Sequence, residues 1–561
     1  MASHISNNPH GTTDVIVVGY GWCGAIIANE AANAGLNVTV LERGPAVEGN
    51  DSGLDELPAF ERRDLRRSQN TVVDTFTLRH QFGDTARPLR RLGSFLAGEG
   101  MGGGGMLWGA TCTRFPPAAF LPGAEQQYGD AARVGADLRQ GWGIDYATLE
   151  PFYQKAEAVI GVSGQAGANP FEGPRSDAYP LDALEDDAIL ARYRRSATNA
   201  GLHPYPLPSA ELAVPYVNPL GIARKPAQPF GTSIATPLNT LHTNTVSSGR
   251  IRILTGSRVR KILRDGERAT GVRYVDANGE HTLKAEVVAL CAWSLQNVRL
   301  LLLSNIGVPY SVETGAGVVG KYFTNHIALG TNGFFDEVLY EGPAAPAGLA
   351  VSDFDPAPPA GYADPGFLGG ATHLLHQGSA PTPATSARVP GDTPRWGPRW
   401  KQALRENYGR VMHLRTIGEI LPSAQRYLDL DPLYRDAHGD PLLRLNFDWQ
   451  ENDRRLVAFH GGVASKILQE AGARLIEPGS LPTHYDTVTY QNSHASGGAI
   501  MGRDPATSVV DTTLRSWDLH NLWVVGTSAF PSSSASPPTL TVAALAYLAA
   551  GAIVQQLIGS T

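Results

Sequence analysis

Two stretches of this chain hold the residues best suited to chemistry: HASGGAIMGRDP, His494 to Pro505, and SSSASPPTLTVAALA, Ser532 to Ala546. An imidazole that titrates near neutrality can take a proton from an alcohol, and His494 stands beside a double glycine, Gly497 and Gly498, that is expected to clear space for a substrate. A proline at the first helical position gives up no useful N–H. Pro538 is expected there, so the free N–H groups of Thr539 and Leu540, with the positive end of the helix dipole, would face developing negative charge.

A third stretch, DVIVVGYGWCGAIIANEAANAGLNVTVLERG (Asp14 to Gly44), explains what such a site would work on. It reads as strand (Asp14 to Val18), turn (Gly19 to Gly24), helix (Cys23 to Ala34) and strand (Val38 to Leu41), a βαβ unit. Gly19, Gly21 and Gly24 have G-x-G-x-x-G spacing in the required place. The first allows a tight turn, the second lets backbone approach a pyrophosphate, and the third permits close helix packing. Glu42 ends the second strand, where a carboxylate accepts ribose hydroxyls, with Arg43 beside it. An acid there repels the 2′-phosphate of NADP, which leaves FAD and NAD.

The elements that must position these residues fill a chain of 561 residues, 42% hydrophobic and 18% charged, the profile of a folded globular protein with two domains. A net charge of −7 gives no basic footprint for nucleic acid. Cys23, Cys112 and Cys291 show no CxxC spacing, so no disulfide framework, zinc or other metal site is expected. The N-terminus has no secretion signal, and the apolar run Leu540 to Gly559 is Ala-rich with Gln555 and Gln556, so it is read as a buried helix rather than a membrane span. A cytoplasmic location fits, with export beside a signal-bearing partner left open.

GEGMGGGGMLWGATCTRFPP (Gly98 to Pro117), VVGKYFTNH (Val318 to His326), SLQNVRLLLLSNIG (Ser294 to Gly307) and the two opening stretches together resemble the glucose-methanol-choline (GMC) oxidoreductase family, over nearly the whole chain. Within it the likeness is to gluconate 2-dehydrogenase flavoprotein subunits and pyranose or glycoside 3-oxidases. The resemblance implies an α/β fold: a Rossmann-type FAD-binding domain with an inserted substrate-binding domain built on a mainly antiparallel sheet with helices. The FAD domain would comprise residues 12–163, 230–327 and 483–561, and the substrate domain 164–229 and 328–482. Gly102, Gly103 and Gly104 would follow the pyrophosphate and flavin, Trp108 would sit near the ring, Val259 would present backbone to adenine, and Gly526 and Thr527 would complete the cofactor site.

The same resemblance implies oxidation of an alcohol on a sugar, sugar acid or glycoside by hydride transfer to flavin N5, with His494 as base. Electrons would pass to an external acceptor, whether a carrier, a quinone or oxygen, with a small partner subunit possible. Leu107 stands where some relatives attach flavin to a histidine, so FAD is expected to be noncovalent. Gly221 to Ser233 lacks the cysteines that hold an iron–sulfur cluster in others, so electrons would leave the flavin directly. One departure is Pro537, where most relatives have a histidine or asparagine that shares the substrate hydroxyl. Either Ser536 or Ser534 supplies that hydrogen bond, or His494 works alone, or the chemistry differs. An oxygen-using glycoside or natural-product alcohol oxidase, and a non-redox flavoprotein such as a lyase or binding subunit, are the alternative readings. In VMHLRTIGEILPSAQRYLDLDP, Arg415 and Glu419 either contact substrate or lie on a solvated strand face, and Trp396 and Trp400 are expected to pack in the core.

Overall fold

The computed structural model describes residues 13–46, 75–89, 98–121, 141–226, 234–339, 347–355, 366–376, 388–487 and 493–559. Its nucleotide sheet has five parallel strands in the order Ile251–Leu254, Val38–Leu41, Val15–Val18, Val287–Leu290, Leu522–Val524. These strands are short, rich in β-branched residues and almost wholly buried, as strands covered on both faces must be. The helix Trp22–Asn33 follows the first strand and packs against the C-terminal helix Thr539–Ile558, which in turn packs against Tyr146–Ile160. That last helix is apolar and long enough to cross a bilayer by length and composition, and here it is a core helix with Leu540, Ala543, Ala544 and Leu545 fully buried.

A second sheet forms a platform of six antiparallel strands, ordered Leu475–Glu477, His326–Phe334, Val411–Glu419, Ala371–His376, Gly348–Phe354, Tyr205–Pro206. In the third of these, VMHLRTIGE, side chains alternate between faces. Met412 and Leu414 join an apolar cluster with Ala464, Ile467 and Leu468 of the helix Glu451–Glu470 behind the sheet, whereas Arg415 and Ile417 point into the cleft in front. Register places Glu419 opposite His326 and Arg415 opposite Gly330. Glycine is needed at 330 because an added Cβ would lie 2.1 Å from the His413 ring.

Segments distant in sequence are tied together by smaller sheets. Phe76–Arg79 pairs in parallel with Pro441–Asn446, and the strands Arg258–Asp265, Arg268–Asp276 and Gly279–Lys284 form an antiparallel meander. The strands 258–265 and 279–284 were not read from the sequence: the first has no clean alternation, and the second, GEHTLK, alternates only between exposed and half-buried residues and carries one large apolar side chain. The glycine-rich stretch Gly98 to Gly105 leads into one short turn of 3₁₀ helix, Gly103–Met106. Trp396, expected in the core, is 84% exposed, because it lies just before a surface helix, Pro398–Asn407, that packs almost none of its residues inward.

Candidate active site

A cleft of about 390 Å³ is lined by residues of both sheets, in the size range of cofactor and ligand sites. Gly19, Gly21, Glu42 and Arg43 line it at one end, with Val259 and its neighbours Arg258 and Arg260. Gly103, Gly104, Leu107 and Trp108 line its length, and Arg415, His494, Gly526, Thr527, Pro537, Pro538 and Thr539 complete it.

The glycines do different work along this wall. An added Cβ at Gly24 would stand 2.0 Å from the Gly19 carbonyl, so this residue allows the helix to start tight against the turn and does not face the cleft. At Gly21 the nearest atom would be 4.0 Å away and at Gly104 nothing lies within 4 Å, so at both positions bare backbone faces open space. Gly21 caps the helix Trp22–Asn33 with no side-chain hydrogen bond, leaving the first-turn N–H groups available to a phosphate. Gly102, expected beside the cofactor, does not line the cleft; with φ +90° it caps the turn Gly103–Met106, and an added Cβ would stand 2.6 Å from the Met106 side chain. This donor set, apolar in its walls and open where backbone N–H groups gather, fits FAD.

Glu42 is buried and accepts from the N–H groups of Tyr20 (3.0 Å) and Gly44 (2.8 Å). Burial raises its pKa, opposed by these donors and by Arg43, which itself pairs with Glu99 at 2.7 Å. Trp108 is fixed by a 2.8 Å hydrogen bond from Nε1 to the Ala235 carbonyl and an edge contact with Trp22. Cys23 and Cys291, remote in sequence, both line the cleft, and burial pushes both thiols up, Cys23 to about 12, so they stay protonated.

His494 is half-buried and opens onto the cleft. Desolvation holds its pKa well below the ordinary value, with smaller contributions from His326 and from the Arg415 charge, so the imidazole is neutral at pH 7 and can accept a proton. Its Nδ1 lies 2.8 Å from Nδ1 of His326. The sequence singled out His326 only as part of VVGKYFTNH and missed this contact, which joins the start of the platform strand His326–Phe334 to the loop of His494 and has no local signal.

Several expectations are corrected. The double glycine does not clear substrate space: Gly497 and Gly498 have φ of +77° and +88°, a Cβ on Gly497 would stand 2.0 Å from the Tyr322 carbonyl, and one on Gly498 would stand 2.8 Å from the Val298 side chain, so both serve close packing. Ser536, with Ser534, donates its hydroxyl to Asp355 (3.3 Å for Ser536, 2.9 Å for Ser534) and does not line the cleft. Glu419 is fully buried behind the cleft and accepts from the Ser534 N–H at 2.9 Å, so it is neither a substrate contact nor a solvated residue. Pro538 is the cap rather than the first helical residue; the helix begins at Thr539, which lines the cleft, while Leu540 is buried beside it. Part of the segment Gly221 to Ser233 lies outside the described residues.

Among the described residues one further trio has metal-ligand chemistry, His80, Asp448 and His484. There His484 Nδ1 is 2.6 Å from Asp448 and His80 Nε2 is 2.9 Å from the Tyr485 carbonyl, a hydrogen-bonded arrangement outside the cleft.

The comparisons with known proteins agree with the cleft. Residues 205–328 and 422–546 match the two GMC oxidoreductase domains. The chain is 36% identical to the gluconate 2-dehydrogenase flavoprotein of Pantoea cypripedii, over 97% of this chain and 94% of that one. It is 25% identical to the fructose dehydrogenase large subunit of Gluconobacter japonicus, covering 97% and 98%. In fold it is similar to formate oxidase from Aspergillus oryzae, with a TM-score of 0.62 at 16% identity over 98% of this chain and 99% of the other. With a cofactor cleft of this form and a 36% identical relative along almost its full length, the chain belongs to the GMC oxidoreductase family, flavoprotein dehydrogenases and oxidases that act on CH–OH donors.

Proposed function

We propose that this chain oxidises an alcohol group on a sugar, sugar acid or glycoside, using noncovalently bound FAD and His494 as the base that takes the hydroxyl proton. The observation that carries this reading is that a neutral, cleft-facing His494 shares one cavity with the bare-backbone cradle at Gly21 and Gly104. Bound in that cleft, FAD would supply the acceptor for the hydride that leaves the alcohol carbon. The chain's own part is to hold the alcohol and accept its proton at His494. Thr539 brings the positive end of the C-terminal helix to the same cavity and favours negative charge there.

Support for a sugar-type substrate comes from the relatives named gluconate and fructose dehydrogenase, and from Arg415, a cation at the His494 end of the cleft suited to hydroxyl or carboxylate groups. Leu107, lining the cleft beside Trp108, has no nucleophile to bond a flavin, which supports noncovalent binding. The fructose dehydrogenase relative is named a large subunit, which supports a partner subunit for this chain as well. Paromamine 6′-oxidase of Streptomyces fradiae, 26% identical, favours oxygen as an alternative acceptor. Anaerobic titration of the flavoprotein with neutral sugars, aldonates and glycosides tests the proposal. Loss of visible flavin absorbance with one of these classes is expected, and no loss with any alcohol would refute it. Repeating the positive case in air with peroxide detection separates oxidase from dehydrogenase.

A further inference from the structure

One of the open readings had Ser534 or Ser536 hydrogen-bond the substrate, yet both hydroxyls donate to Asp355 and neither residue lines the cleft. Ser534 is the centre of what they do instead. It has φ +50°, a backbone conformation that residues with a side chain rarely adopt. Two buried carboxylates hold it there, one from the platform strand Val411–Glu419 and one just past the end of the strand Gly348–Phe354. Glu419 accepts from its N–H at 2.9 Å, and Asp355 accepts from its hydroxyl at 2.9 and 3.1 Å. Asp355 also receives the Ala535 N–H at 3.2 Å and the Ser536 hydroxyl at 3.3 Å, so three consecutive residues converge on one carboxylate. In this pose the Ser534 carbonyl lies 2.7 Å from His326 Nε2, and the Ser533 carbonyl 3.2 Å from it.

Carbonyl oxygens only accept, so His326 Nε2 must carry the hydrogen. Burial pushes the His326 pKa down to about 4, so at neutral pH the ring carries one proton and its Nδ1 presents a lone pair. His494 Nδ1, 2.8 Å away with the rings perpendicular, must then be the donor. The lone pair of His494 is left on Nε2. We propose that Ser534, clamped by Asp355 and Glu419, acts through His326 as a positioning device that sets the tautomer of His494 and makes Nε2 its basic atom. His326, Ser534, Asp355 and Glu419 are thus positioning residues; none needs to touch substrate. This also gives the double-proline segment a role in a chain whose Pro537 offers no polar group to a substrate.

The proposal rests on the reading of His494 as the base, but its test does not require turnover. Nitrogen NMR of histidine-labelled holoenzyme at pH 7, with His494 assigned by difference against His494→Gln, reads which ring nitrogen is protonated. The expected result is Nδ1–H at His494 and Nε2–H at His326; Nε2–H at His494 overturns the proposal. His326→Gln can donate its amide N–H to Ser534 and accept from His494, and should keep the Nδ1–H signature. His326→Leu and Asp355→Ala should lose it and slow flavin reduction by roughly 10²-fold or more, the range of a misplaced general base, with KM nearly unchanged. If His326→Leu fails to fold, the wild-type spectrum and Asp355→Ala still decide. An unaltered His494 tautomer in both Asp355→Ala and His326→Leu contradicts the proposal. The expected tautomers without reduction by any alcohol would leave the positioning intact and refute the proposed function alone.

Discussion

Two glycine-to-alanine changes separate the parts of the cofactor wall that hold the fold from the part that meets the cofactor. At Gly24 an added Cβ would stand 2.0 Å from the Gly19 carbonyl and 3.2 Å from Val17, and the obstructing atom is backbone that cannot rotate away. Overpacking of this kind costs about 1–3 kcal/mol. At about 2.1 cal/mol/K of unfolding entropy per residue, each kcal/mol lowers the Tm of a chain of 561 residues by about 1 °C. At Gly104 nothing lies within 4 Å of the added Cβ and φ is not in the left-handed region, so Gly104→Ala should change stability by no more than about 0.5 kcal/mol. Its methyl would instead enter the cleft that Gly104 lines. If FAD lies against that turn, the intrusion costs a similar ~1–3 kcal/mol of binding, or roughly 10- to 100-fold in Kd. Differential scanning fluorimetry of apoprotein and flavin titration of each variant measure the two effects separately. Gly24→Ala should lose Tm, and Gly104→Ala should keep Tm and lose flavin. A Gly104→Ala protein that binds flavin as the wild type does would show that the cofactor does not approach this backbone.

Three further outcomes follow from the geometry. Because desolvation, His326 and Arg415 all depress the His494 pKa, the reductive kcat/KM should stay flat from pH 8 to about 6 rather than fall through the ordinary histidine range; an inactivating pKa near 6.5 would place the base in solvent. Arg415→Leu should raise the His494 pKa and weaken a carboxylate-bearing sugar acid by roughly 10- to 100-fold in KM while leaving neutral glycosides little changed, as steady-state kinetics on both classes would read. Arg426→Met should destabilise the protein by about 3–5 kcal/mol in denaturant unfolding, because Asp453, fully buried and paired with Arg426 at the start of the helix Glu451–Glu470, would lose its counter-charge.

The cofactor half of this molecule was largely legible in the sequence because its signals are local. Val15–Val18, the turn at Gly19 and Val38–Leu41 follow one another within a single βαβ unit, and the identity of Glu42 is set by its position at a strand end. The platform was legible in part: VMHLRTIGE read as a strand, but whether Arg415 and Glu419 met substrate or solvent stayed open, and nothing in it showed that Arg415 would line the cleft while Glu419, on the same face, would be covered by the Ser534 loop. What escaped entirely was the contact between His326, Asp355, Glu419, Ser534 and His494, drawn from five separated segments. Nothing in DFDP around Asp355 marks it as an acceptor for three residues almost two hundred positions later, since that role arises only when the platform and the C-terminal loop pack. The close packing expected of Gly24 is seen against the Gly19 carbonyl, whereas Gly497 and Gly498 were misread, because their neighbours are the distant Tyr322 carbonyl and the Val298 side chain.

The central claim, that an alcohol is oxidised at this cleft with His494 taking its proton, is tested most directly by anaerobic stopped-flow reduction of the bound flavin by the best sugar or glycoside found in the titration. The His494→Ala protein should bind flavin and show the wild-type absorbance, yet reduce it at least ~10²-fold more slowly, the usual contribution of a general base. Reduction of the variant at the wild-type rate would contradict the account.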